Sequence, residues 1–197
     1  MNNTTWHESG HAVFANIFKD YLVIKMVTIL PGHYGNGANL IGIKKSEENV
    51  IDNFHLIIVN LAGLLVEYLK DKRNDEKAFI PLIKYTTKRL NPNDNTADSF
   101  DGDFLNMQEP LAIVSSELNK TKDEILCLAM VYIANCLVKC QEFWPAIDAL
   151  SAKLYVSKTL TTNEVDLVFN QIGFNRFLID YKGSFIQEAI RLLTEDN

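Results

Sequence analysis

The sequence has little cysteine, no excess of positive charge and no long uninterrupted apolar run. The chain has three cysteines, an odd number, so we do not expect a disulfide framework. Residues 1–20 lack a basic start followed by an apolar run, so we do not expect a secretory signal. The net charge is −6, and because phosphate contacts need a basic surface, nucleic-acid binding is not expected. The apolar runs at 54–66 and 125–138 are shorter than the roughly 20 residues of a spanning helix. We therefore expect a cytoplasmic protein without a membrane span, in which both runs are buried helices.

The local patterns predict a mostly helical protein with a small β-element near its start. Apolar residues make up 47% of the 197 residues and charged residues 22%, which is ordinary for a globular protein. Helical periodicity is expected over 3–19, whereas the apolar, β-branched run at 21–30 and the run at 38–43 are typical of strands. Because the Gly-rich segment 31–37 separates these two runs, they predict a hairpin.

After residue 45 the pattern is helical, with clear helix starts. Capping boxes are predicted at Thr121–Glu124 and at Thr161–Glu164. A polar, acidic loop is expected over 91–103, and Pro110 is expected to kink or restart the helix that follows it. We expect a mostly α (α+β) fold in one domain, comprising a first helix and β-hairpin (1–45), a helical bundle (46–174) and an unassigned helical tail (175–197).

The stretch WHESGHAVFA carries the strongest chemical signal in the chain. His7 and His11 lie four residues apart, so on a helix both imidazoles reach the same point in space. Neutral imidazole binds zinc at about 2.0–2.1 Å, and one helical turn matches this spacing. Glu8 points about 100° away from His7, where it can take a proton from a water but is poorly placed as a ligand. This HExxH spacing is typical of zinc peptidases.

The alternative interpretation is that polar residues coincide on a helix surface. Two observations argue against it. Gly10 and Ala12 are small, as close packing near a metal requires, and a helical glycine costs roughly 1 kcal/mol relative to alanine. The chain also has only four histidines, two of which fall in this motif. We therefore favour a metal site.

A zinc site of this kind needs a third protein ligand, for which the sequence offers several candidates. Most of them must be bystanders, and the acidic loop also fits a solvated segment with a helix cap. Cys136 and Cys140 are four residues apart and allow a metal pair, although buried apolar packing is the preferred interpretation. The candidates for the third ligand of the HExxH site are Asp98, Asp101, Asp103, Glu67, His33 and His55.

These residues resemble the FtsH-type zinc peptidases, a family of proteolytic domains usually attached to an AAA ATPase. WHESGHAVFA is similar to that family's His-Glu-Ala-Gly-His-Ala stretch, and LAGLLVEYL (61–69) to its Gly-Gly-Arg-Ala-Ala-Glu-Glu helix. GDFLNM (102–107) resembles its Asn-Asp-Leu block, and the segment 136–169 its closing helices. The similarity covers about 165 residues in the same order, but no GxxxxGK[S/T] phosphate loop is present.

The resemblance implies a role for each matching residue. His7, His11 and Asp103 would be the zinc ligands, and Glu8 would be the general base. Asp103 is preferred because Phe104 follows it, as the family pattern requires. The implied function is a zinc metalloendopeptidase acting on peptides or unfolded protein. A separate ATPase or a homo-oligomer would then be a partner.

Two other functions stay open on the sequence. The chain could be a degenerate peptidase fold that serves as a binding or scaffold module without zinc. It could also be a zinc-stabilised protein without proteolytic activity. Metal content and hydrolysis distinguish all three.

Overall fold

A computed structural model describes residues 2–31, 37–43, 50–73, 101–140 and 142–179. The described chain is mostly helical with one small antiparallel sheet, which confirms the predicted fold class. A final helical stretch covers 174–179. The other elements, in chain order, are α1 (Asn3–Ile17), β1 (Leu22–Thr28), β2 (Ala38–Ile43), α2 (Val50–Leu69), α3 (Asp101–Leu118), α4 (Lys122–Lys139), α5 (Phe143–Ser157), β3 (Thr159–Thr161) and α6 (Thr162–Gln171).

Helix α1 begins at a side-chain cap and is buried along most of its length. The Asn2 carboxamide oxygen accepts a hydrogen bond from the Thr5 amide at 3.1 Å, which satisfies one of the free N–H groups of the first turn. From Glu8 to Asn16 every residue is buried. Glu8, Ser9 and His11 of the HESGH motif therefore lie inside the protein, and His7 is partly buried.

The three strands form a sheet in the order β2–β1–β3, with both pairs antiparallel. The predicted hairpin is present as β1 and β2, and its register sets Val27 opposite Asn39. Strand β3 was not predicted, and it corrects the expectation that 46–174 is wholly helical. It has only three residues, too few to show an alternating pattern, and it is recognisable only through its pairing with β1.

Helix α2 forms the centre of the core and packs against α1, α3 and α4. It is the one helix in the described part of the chain that is long and apolar enough to cross a membrane, with a mean hydropathy of 1.6. Within this fold 72% of that apolar window is buried, so the protein interior already covers most of its apolar surface.

Helix α3 corrects the expected loop boundary and one of the two alternatives predicted for Pro110. It begins at Asp101, within the predicted loop 91–103, so Asp103 lies in its first turn. Pro110 is enclosed in this single helix and does not restart it. Proline removes one backbone N–H donor, and here Pro110 is buried while the residues on both sides of it remain helical.

Other predictions are confirmed. Both capping boxes open helices, with the Glu124 carboxylate accepting from the Thr121 amide at 2.7 Å and Glu164 accepting from the Thr161 amide at 2.8 Å. Cys136 and Cys140 are both buried, as the preferred interpretation of this pair expected. The predictions on 32–36, 44–49, 74–100 and 180–197 lie outside the described residues.

Candidate metal centre

Three side chains from two distant parts of the chain converge at one point. His7 and His11 come from α1, and Asp103 comes from the first turn of α3. His7 Nε2 lies 2.9 Å from Asp103 Oδ2 and 3.0 Å from His11 Nε2, and His11 Nε2 lies 3.3 Å from the same carboxylate oxygen. The structure thus brings together both histidines of the motif and the aspartate that the family resemblance implied.

The outer nitrogens of both rings are occupied, which fixes the role of the inner ones. His11 Nδ1 lies 2.7 Å from the main-chain oxygen of Val59, which can only accept, so this nitrogen is the donor. His7 Nδ1 lies 3.2 Å from Glu67 Oε2, and an ionised carboxylate likewise only accepts. In the neutral rings both Nε2 atoms therefore carry a lone pair directed into the site.

Three lone-pair atoms within 3.3 Å of one another repel unless a cation lies between them. Two imidazole nitrogens and a carboxylate oxygen offer no proton of their own when His7 and His11 are neutral. Either a proton or a metal ion must therefore be shared by the trio. Buried acceptors facing each other without such a cation would be strongly unfavourable.

The pKa values of His7, His11 and Asp103 also show that the trio favours a positive charge between its members. Burial lowers the pKa of His7, but its hydrogen bonds to Asp103 and Glu67 outweigh burial and raise the pKa to about 10. Burial likewise opposes protonation of His11, yet Asp103 raises its pKa. Burial raises the pKa of Asp103, but His11 and His7 exceed this effect and hold the pKa well below its usual range. Asp103 is therefore ionised and attracts a cation.

The donor set and its spacing fit a transition-metal ion. Tetrahedral ligands at 2.0–2.1 Å from zinc lie about 3.3 Å from each other, and the three distances here run from 2.9 to 3.3 Å. Two imidazoles favour zinc and its neighbours over Mg²⁺ or Ca²⁺, which prefer oxygen. The buried trio can therefore hold a metal ion. The Asp103 side chain is 23% exposed and that of His11 only 5%, so the site is more accessible on the Asp103 side.

Helix α2 supplies the layer that orients both rings. Val59, Gly63 and Glu67 lie four residues apart and therefore share one face of the helix. Val59 and Glu67 accept from the two Nδ1 atoms. Between them, a side chain at position 63 would put its Cβ 2.4 Å from His11 Nε2. Only glycine at this position leaves room for the ring.

Glu8 is buried beside the trio but is directed toward the sheet. Asn39 on β2 donates to the Glu8 carboxylate at Oε2, at 2.5 Å, and to the Glu8 main-chain oxygen at 2.9 Å. Burial raises the pKa of the Glu8 carboxyl, while the nearby His11 and His7 lower it. Among the described residues, the group that could hold a metal consists of His7, His11 and Asp103.

None of the other candidates for the third ligand that the structure describes lies in the trio. Glu67 contacts the outer nitrogen of His7, so it orients that ring. His55 is buried elsewhere, with its ring stacked on Phe18 at 4.0 Å between centroids. His33, Asp98 and the side chain of Asp101 lie outside the described residues.

Three contributors to the site were missed in the sequence: Val59, Gly63 and Asn39. Val59 acts through its main chain, so its side chain gives no signal. Gly63 had a signal, because a glycine within an apolar helix carries the same cost that drew attention to Gly10. Asn39 is a polar residue within an apolar strand run and could have been singled out for that reason.

No family model matches this chain, and no curated protein matches it significantly. The likeness to FtsH-type peptidases therefore rests on the motif residues and their order along the chain. The class of site is defined independently of that likeness: a buried pair of helical histidines and one aspartate that can hold a metal ion, with a glutamate beside it.

Proposed function

We propose that this protein is a zinc-dependent metalloendopeptidase of the FtsH-like kind. The observation that carries the proposal is the convergence of His7 Nε2, His11 Nε2 and Asp103 Oδ2 next to a buried glutamate. Two imidazoles and one carboxylate leave one position open in a tetrahedral site, as catalytic zinc sites do. Bound zinc supplies a Lewis acid and an activated water.

The protein's own groups would then handle the proton. Burial raises the pKa of the Glu8 carboxyl, the direction that makes a carboxylate a stronger base. Glu8 would accept the proton of the attacking water and deliver it to the leaving amine of the peptide. Glu67 and the Val59 carbonyl hold the two rings in position through their Nδ1–H groups.

An extended peptide would enter along β2. Strand β1 pairs on both sides, whereas β2 pairs only with β1 among the described strands. Strand β2 also carries Asn39, the residue that binds Glu8. Addition of a substrate strand to the outer edge of β2 would use main-chain hydrogen bonds, which suits peptides and unfolded protein as substrates.

The test is hydrolysis of unfolded casein with zinc-loaded wild-type protein, chelated protein and Glu8→Gln. Gln keeps the shape of Glu8 and one acceptor oxygen for Asn39 but cannot take up the proton. We expect chelation to abolish cleavage and Glu8→Gln to reduce kcat by roughly 100-fold or more, with zinc content unchanged. Cleavage that persists in both preparations would contradict the proposal. Zinc without cleavage would indicate a zinc-stabilised protein, and neither zinc nor cleavage would indicate a scaffold module.

A further inference from the structure

We propose that Asn39 is a positioning residue that holds Glu8 in its working orientation, with Gly37 making the room that this orientation needs. The inference rests on the proposed function and adds a division of roles within the Glu8 carboxylate. One oxygen, Oε2, is held by β2. The other, Oε1, exchanges the proton.

The orientation of the Asn39 carboxamide follows from its two contacts. Both acceptors are oxygens of Glu8, one on the side chain and one on the main chain, so both must face the NH₂ group. A flipped amide would set its oxygen against two acceptors. Asn39 therefore binds the side chain and the backbone of Glu8 together, which limits rotation of the carboxylate relative to α1.

Gly37 lies against the other carboxylate oxygen. A Cβ at position 37 would be 2.5 Å from Glu8 Oε1 and 2.8 Å from Thr4 Cγ2. Any side chain there would push the carboxylate away from its present position. Asn39 and Gly37 thus specify the same orientation from two directions, with Gly37 immediately before β2 and Asn39 within it.

This arrangement matters because a general base acts only within hydrogen-bond reach of its proton. A free glutamate side chain has several rotamers, and a base that leaves its working rotamer loses hydrogen-bond reach of the proton. Fixing one oxygen lowers the entropic cost of each proton transfer. The role is positional, so its loss should affect the chemical step and leave metal binding intact.

The experiment compares zinc-loaded Asn39→Leu with wild type and with Thr28→Val. Leu is similar in size to Asn and has no donor. Thr28→Val is the matched control, because it removes hydroxyl contacts to Thr159 and the Lys158 carbonyl in the same sheet without touching Glu8. We expect Asn39→Leu to lower kcat by roughly 10- to 100-fold, with KM within about two-fold and zinc content as in wild type. Thr28→Val should keep the wild-type kcat. Equal kcat values for all three proteins would overturn the inference.

A second readout is independent of activity. In metal-free protein, we expect Asn39→Leu to lower Tm by roughly 2–4 °C when Glu8 is present, and by clearly less in a Glu8→Ala background, where only the bond to the main-chain oxygen of residue 8 remains. Equal shifts in the two backgrounds would overturn the inference. If the wild-type protein does not cleave peptides, the proposed function fails and this cycle alone decides whether Asn39 holds Glu8.

Discussion

At the scale of single residues, the protein uses its histidines in two opposite ways. His7 and His11 are surrounded by acceptors that stabilise added positive charge. His55 is enclosed by the rings of Phe18 and Tyr21, which offer no such acceptor. Burial therefore lowers the pKa of His55 to about 4. The same residue type can hold a cation at one place and stays neutral at the other.

His55 makes stability depend on pH in a defined direction. Its folded pKa is below the unfolded value of about 6.5, so only the unfolded chain takes up a proton between these values. The free energy of unfolding should fall as pH drops from about 6.5 toward 4, by at most roughly 3 kcal/mol from this residue. The measurement is chemical denaturation of chelated protein across this pH range, comparing wild type with His55→Phe, which retains an aromatic ring against Phe18.

The expected result is a shallower fall in stability for His55→Phe. The raised pKa values of His7 and His11 act in the opposite direction, since the stability they contribute is present below about pH 6.5 and is lost as pH rises. Both proteins share that contribution, so it cancels in the difference. Parallel pH profiles would show that His55 is not held neutral.

At the scale of elements, residues of α2 set the orientation of both imidazole rings of α1. Val59 and Glu67 fix the two outer nitrogens, and Gly63 gives His11 its space. Gly10 makes the approach possible from the other side, because a Cβ there would lie 2.8 Å from the Ala62 oxygen. The two helices therefore meet through glycines at the level of the metal centre.

Gly63→Ala tests this packing directly. The added methyl group would overlap His11 Nε2, whose ring is held by Val59 and cannot retreat freely. We expect a loss of about 1–3 kcal/mol in unfolding free energy and at least roughly ten-fold weaker zinc binding. Denaturant titration and competition with a zinc indicator provide the two measurements.

The matched control is the same substitution in a His11→Ala background. Without the imidazole ring, Gly63→Ala should gain up to about 1 kcal/mol from the higher helix propensity of alanine. A comparable loss in both backgrounds would mean that the cost does not come from His11.

The sequence predicted most elements because their signals are local. Apolar periodicity identified α1 and α4, and the capping boxes marked the starts of α4 and α6. Strand β3 was missed since three residues acquire their structure only through pairing with β1. The start of α3 was placed too late because polar residues that favour loops also favour the first turn of a helix. The first error concerns tertiary contacts, and the second concerns residues whose local preference is ambiguous.

For the site, the sequence predicted the histidine pair from its spacing alone, and the aspartate only through a family resemblance. Nothing in residues 1–20 indicates which of the distant carboxylates reaches them. That choice depends on how α3 packs on α2. The structure places Asp103 with the histidines and assigns Glu67 to the outer nitrogen of His7.

At the scale of the whole molecule, the metal centre joins elements from distant parts of the chain. Asp103 is separated by 96 residues from His7, so an ion bound by both would tie α3 to α1. The sheet makes a second such connection, because β3 brings residues 159–161 to β1. Since binding to the folded state alone shifts the unfolding equilibrium, a bound metal should stabilise the fold as a whole.

The central claim is that His7, His11 and Asp103 bind one metal ion, and zinc content tests it most directly. Elemental analysis should be made on wild type, His11→Ala and His55→Phe after equilibration with zinc and removal of the free ion. We expect about one zinc per chain in wild type and in His55→Phe, and little in His11→Ala. Wild-type protein without zinc, or His11→Ala with a full equivalent, would contradict this claim.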